Sequence, residues 1–345
     1  MKDLQAVTSA QGSAMGVENS TIDLVQTEHL TADSQIPFVV RPSRDDTDLV
    51  SWASSGRHLI ETQLIQYRAM LFRGFQVKTP AYFHNFVEAT STGPLLEYKD
   101  RSTPRYEVGE RVYVSTIYPA EQRIHPHNEG TYWSTWPRKI YFCCLKTPSQ
   151  GGETPIADVR RVCDRIEPGI RELFRQKQVL YVRNYNPGIG LTWQDAFQTK
   201  DPNVVEQYAA KNGIQIEWTK GGKLRTRQVR PAIRRHPVTG EELWFNHAAF
   251  FHVSSLDPEV REALLSSYGE EGLPYNTYFG DGTRIDTAIA ANIKNAYAAE
   301  KLVFPWREGD VMLLDNMMVA HARELYVGAR NVIVAMTEAQ SDAGA

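Results

Sequence analysis

The stretch Ile124-His125-Pro126-His127-Asn128-Glu129-Gly130-Thr131-Tyr132 decides how the rest of this chain is read. His127 and Glu129 stand two residues apart, and an extended strand repeats its side-chain direction every second residue. The spacing therefore predicts an imidazole and a carboxylate on one face. Joined by a distant histidine, such a pair makes the 2-His-1-carboxylate set that leaves open positions on a non-haem Fe(II). By itself, H-x-E more often marks a solvated turn or a hydrogen-bonded core histidine. The rest of the chain has to decide.

With 345 residues, 42% hydrophobic and 23% charged, the chain has the make-up of an ordinary soluble globular protein. A formal charge of -3, with no standout basic run, argues against a nucleic-acid partner. No apolar stretch approaches a membrane span. The first twenty residues lack the basic and apolar regions of a secretion signal, and residues 1–36 read as a flexible tail. Cys143, Cys144 and Cys163 offer no zinc-ribbon or C-x-x-C spacing. Cys143 and Cys144 are expected as buried thiols on opposite faces of a strand, which suits a reducing cytoplasm.

Helical spacing is expected at residues 45–70 and 79–87, around a short strand at 69–75. Strand patterns follow at 112–116 and 139–145, the second fit to be covered on both faces. Gly151 and Gly152 turn the chain into another short strand, after which Asp158 can cap a helix. Residues 158 to about 240 read as a mixed helical and loop insertion, with the basic segment 220–235 as a solvated hairpin or loop. Helices are expected after Asp257 and Asp286, and strands at 311–314 and 332–336 flank His321 and Arg330. Many short strands with clustered helices predict one mainly β domain over 37–340, a barrel or sandwich with helical buttresses.

In order, His127-x-Glu129, Gly151-Gly152-Glu153-Thr154, Asp315-Asn316 before His321, and Arg330 before the last strand resemble the taurine dioxygenase-like (TauD/TfdA) family. That family comprises Fe(II)- and 2-oxoglutarate-dependent oxygenases on a double-stranded β-helix of the jelly-roll kind. Arg101-Ser102-Thr103-Pro104-Arg105, His127-Asn128-Glu129 and the run from Gly151 to Asp158 are similar to its branch acting on amino acids in specialised metabolism. The likeness spans about residues 37–340. It implies that His127, Glu129 and His321 ligate iron, and that Thr154 and Arg330 bind the distal carboxylate of 2-oxoglutarate. Arginine suits that task, since its planar fork matches a carboxylate and stays charged. Much of the family carries a second basic residue after this arginine; here Asn331 stands there, so Arg323 is the reserve candidate.

The resemblance further implies a dioxygenase that couples O2 and 2-oxoglutarate, released as succinate and CO2, to oxidation of an unactivated C–H. In halogenating relatives a small residue replaces the carboxylate ligand, so Glu129 points to hydroxylation; desaturation and ring closure share its start. Arg101, Arg105, Asn128 and Arg323 fall near the pocket by motif position and suit a small amino acid, free or carrier-bound. Each fits a structural ion pair or hydrogen bond equally well. His125 shares parity with His127 but would leave no carboxylate in the set. His247 and His252 are core histidines or substrate contacts. Gly130-Thr131 departs from larger residues in related sequences, and could widen the site or alter loop mobility. A zinc hydrolase with the same ligands would give Thr154 and Arg330 no task, and a metal-free β-barrel binder would not need His127.

Overall fold

The strand Thr135–Lys146 shows why the chain folds as it does: residues 136–144 are buried without a break, so both of its faces must be covered. It lies between Val311–Asp315 and Asn331–Ser341 in an eight-stranded sheet. The computed structural model describes residues 24–342, apart from 32, 33, 187 and 220. Outward on one side the sheet continues through Ala69–Phe72, Ser34–Pro42 and Val25–Thr31; on the other, through Val112–Val114 and Glu107–Gly109.

Alternation along the central strand separates two cores. Tyr141 and Cys143 pack with Leu49, Trp52, Leu64, Phe83 and Phe86 from the helices that cover the outer face. Ile140, Phe142 and Cys144 face inward, among residues brought by a second, three-stranded sheet. The two cysteines are free and buried, on opposite faces as expected. Two facing sheets with buttressing helices make the double-stranded β-helix, or jelly-roll, core that the family resemblance implies.

Three local differences have physical causes. The pattern over 45–70 is two helices, Leu49–Ser55 and Arg57–Tyr67, because Gly56 closes the first with its N–H on the carbonyl of Trp52. Residues 25–31 and 34–36, expected in the tail, instead belong to two antiparallel strands on the sheet edge; residues 1–23 lie outside those described. Val25–Thr31 is mostly exposed, so it is held by backbone pairing and carries little hydrophobic signal. The segment expected as an insertion shares a sheet with a strand beyond residue 240: Tyr275–Phe279 joins Val179–Tyr185, Lys223–Arg230 and Gln215–Thr219 in one four-stranded sheet. Of the two forms expected for the basic segment the hairpin is found, Lys223–Arg230 pairing antiparallel with Gln215–Thr219, but only one of its faces is solvated: Leu224, Thr226, Gln228 and Arg230 alternate inward. The chain rejoins the core where Leu302 bridges Ile156. Among the described residues, no helix is long and apolar enough to cross a membrane.

Candidate metal and co-substrate site

The inner, three-stranded sheet sets Val319–Arg323 between Ile124–His127 and Ile156–Asp158. Its register places His321 directly across from His127, with their rings 4.5 Å apart. Cross-strand neighbours of this kind converge although most of the chain separates them. Glu129 is not on the strand, which ends at His127. Its placement comes from Asn316: the Asn316 side chain accepts from the Glu129 N–H at 2.7 Å and donates to the Glu129 carbonyl at 2.9 Å. His127, Glu129 and His321, all buried, each offer a ligand atom within 4.8 Å of the others.

The donor chemistry fits a divalent metal. His127 Nδ1 lies 2.8 Å from the carbonyl of His125; a carbonyl can only accept, so the proton belongs on Nδ1 and the Nε2 lone pair is left to ligate. Burial pushes the pKa of His127 down and that of His321 well down, which keeps both rings in the neutral, ligating form. His321 Nδ1 is buried and has no hydrogen-bond partner among the described residues. Two neutral nitrogens and one carboxylate make the mixed set that suits Fe(II).

Thr154 and Arg330 line the same cavity as His127 and His321, together with Ser115, Phe142 and Arg323. Thr154 Oγ1 accepts from Trp306 Nε1 at 3.0 Å and from Arg330 Nη2 at 3.2 Å. With both lone pairs engaged, its own O–H is left to donate, as a carboxylate requires. Arg330 is further held by the Gly152 carbonyl at 2.8 Å and Ser115 Oγ at 3.0 Å. Burial, reinforced by Arg323, lowers its pKa to about 10, which leaves it charged at neutral pH.

The remaining candidates divide. Arg323 lines the cavity, but its terminal nitrogens bind the carbonyls of Tyr118, Pro119 and Gln122; its buried Nε–H has no partner among the described residues. Arg105 lines the cavity and pairs with Glu129 at 2.9 Å. Arg101 does not line it, and bonds the carbonyls of Tyr98 and Arg105 and the side chain of Gln198. Asn128 is fully buried, donating to the Asn316 carbonyl at 2.6 Å. His247 is a core histidine whose Nε2 meets the carbonyl of Asn128 at 2.7 Å, and His252 caps a short helical turn. His125 is exposed. Gly130 has φ +72°, and a Cβ there would meet Trp133 Cε3 at 2.4 Å, so turn geometry and packing account for the glycine.

Sequence reasoning missed several supports. Tyr98 donates to Glu129 Oε1 at 3.0 Å, and the Phe250 ring stacks on His127 with centroids 4.6 Å apart. Neither carries a motif. Asn316 did have a signal, since it follows Asp315 just ahead of His321.

A jelly roll that sets two histidines and a guanidinium–hydroxyl pair around one cavity, with a carboxylate beside the histidines, has the build of a metal-dependent oxygenase that consumes a dicarboxylate. More narrowly, the chain belongs to the "Taurine catabolism dioxygenase TauD, TfdA family", whose profile matches residues 26–337. It is an Fe(II)- and 2-oxoglutarate-dependent oxygenase, using O2. It is 40% identical to the dapdiamide synthesis protein DdaC of Enterobacter agglomerans, over 87% of this chain and 90% of that one. It is 30% identical to a clavaminate synthase-like protein of Arabidopsis thaliana, covering 81% and 84%. Among solved structures it resembles PvcB of Pseudomonas aeruginosa, with a TM-score of 0.54 at 14% identity and 91% coverage of both chains.

Proposed function

We propose that His127, Glu129 and His321 hold Fe(II), that Thr154 and Arg330 hold the distal carboxylate of 2-oxoglutarate, and that the enzyme hydroxylates a small amino acid or a derivative of one. The observation that carries this reading is the meeting of the three ligand side chains within 4.8 Å of one another, at the edge of a cavity whose lining His127 and His321 share with Thr154 and Arg330. Iron and 2-oxoglutarate, once bound, would supply the oxidation and release succinate and CO2. The protein's part is to orient both and to exclude water.

Charge supports an anionic substrate. Arg105, Arg323 and Arg330 line the cavity, and Glu129 offsets one of them. With a divalent metal and a doubly charged 2-oxoglutarate, positive charge remains. The Nε–H groups of Arg105 and Arg323, without a partner among the described residues, suit a substrate carboxylate. Arg101 and Asn128, engaged elsewhere, serve the frame around the site. The 40% identity to a dapdiamide synthesis protein supports a place in specialised metabolism, and three free thiols suit the cytoplasm.

The test is anaerobic addition of Fe(II) and then 2-oxoglutarate to the apo-protein, followed through the visible metal-to-ligand charge-transfer band. The band is expected in the wild type and absent in His127→Ala. Its absence from a wild type with metal demonstrably bound would overturn the assignment. Amino acids carrying a free carboxylate are then expected to stimulate oxygen-dependent succinate formation more than their amides.

A further inference from the structure

We infer that Tyr98 and Arg105 form a two-pronged clamp that orients Glu129 as a metal ligand, and that Arg101 sets the spread of the prongs. The inference rests on the reading of Glu129 as a ligand.

Glu129 needs such a device. It stands beyond the end of the strand that positions His127, and Asn316 fixes its backbone alone. A free Glu side chain keeps its rotamer freedom, which a ligand has to give up. Both of its oxygens are engaged from one segment: Oε1 accepts from Tyr98 Oη at 3.0 Å, and Oε2 from Arg105 Nη2 at 2.9 Å. The Arg105 and Glu129 side chains are each 4% exposed, so water does not compete for these contacts.

The prongs are themselves braced. The Arg105 guanidinium lies 4.2 Å over the Tyr98 ring, and that ring packs edge-on against Trp133, 5.4 Å away. Arg101 then staples the two backbones, with Nε on the Tyr98 carbonyl and Nη1 on the Arg105 carbonyl, both at 3.0 Å. Between them Asp100 pairs with Arg183 on the strand Val179–Tyr185, so the insertion anchors the segment. A buried ion pair is weak evidence for stability in itself, and Arg105 leaves its Nε–H unpartnered among the described residues. The convergence of two donors on one carboxylate beside two neutral histidines is what orientation of a ligand requires.

Substituting Arg105 changes two things of opposite sign: losing a cation beside the metal favours binding, and losing orientation disfavours it. Tyr98→Phe and Arg101→Gln separate them. The first leaves all charges in place, and the second keeps both prongs while removing their staple. Co(II) titration of the 2-oxoglutarate-free protein is expected to show dissociation constants raised on the order of 10-fold in both variants. At saturating Co(II), a shifted ligand-field spectrum is expected, which a merely structural loss would not produce. Binding within twofold of wild type with an unchanged spectrum in Tyr98→Phe overturns the clamp. The same result confined to Arg101→Gln removes the staple from it. Unaltered binding in His127→Ala would instead overturn the metal site itself, and the clamp with it.

Discussion

Replacing Arg330 by alanine is expected to cost the protein its 2-oxoglutarate affinity while sparing its metal. Arg330 spends three N–H groups on Gly152, Ser115 and Thr154. A guanidinium has five, so about two remain for a carboxylate. Net hydrogen bonds to charged groups contribute about 1.5–3 kcal/mol each. Truncating one partner of a buried charged pair costs about 2–5 kcal/mol. A loss of about 3–5 kcal/mol corresponds to a dissociation constant raised about 10²- to 4 × 10³-fold. Arg330→Lys restores the charge but not the fork, and is expected to recover about 1–2 kcal/mol of that loss. Anaerobic titration of the Fe(II) protein with 2-oxoglutarate, read at the charge-transfer band, measures the change directly. With a pKa of about 10, Arg330 holds its proton at neutral pH, and its contribution fades only as pH rises through that value. A dissociation constant for Arg330→Ala within threefold of wild type refutes the assignment, and a large effect from Arg323→Ala would move the role there.

Gly130→Ala combines a left-handed backbone, costly by about 1–2 kcal/mol for an L side chain, with a 2.4 Å approach to Trp133. Calorimetry is expected to show a melting temperature several degrees lower, and an unchanged value contradicts the packing argument. Arg323→Gln removes the cation that gathers the carbonyls of Tyr118, Pro119 and Gln122; limited proteolysis should cut within residues 115–123 about tenfold faster, with Co(II) affinity within twofold of wild type. Glu338, buried, is held down at a pKa of about 2, against the burial that would raise it, chiefly by Lys139. A depressed carboxylate stabilises above its unfolded pKa and loses that contribution as pH falls from about 4.5 towards 2. Wild type is therefore expected to exceed Glu338→Gln by about 3 kcal/mol at neutral pH. In denaturant titrations the gap should close below pH 4, and a constant gap refutes the linkage.

How far the sequence can be read depends on the range of the forces involved. The apolar runs at 139–145, 311–314 and 332–336 announce buried strands, and Asp158, Asp257 and Asp286 announce helix starts, because each signal is local. The edge strand Val25–Thr31 is silent, since it is held by a neighbour's backbone. The expected strand parity brings Glu129 towards His127, but the strand stops short, and the Glu129 backbone is placed by Asn316 from the far end of the chain.

The sequence by itself determined a mainly β class, through periodicity, and the family, through its ordered motifs; the jelly roll and the residues for a metal and a dicarboxylate are what that resemblance implies. Tertiary structure alone decided that His321 pairs across from His127, that Arg105 faces Glu129 while Arg101 turns to the backbone, and that Arg323 fastens a loop. Such choices depend on strand register and on which buried donors find acceptors, and both are settled between segments remote in the chain.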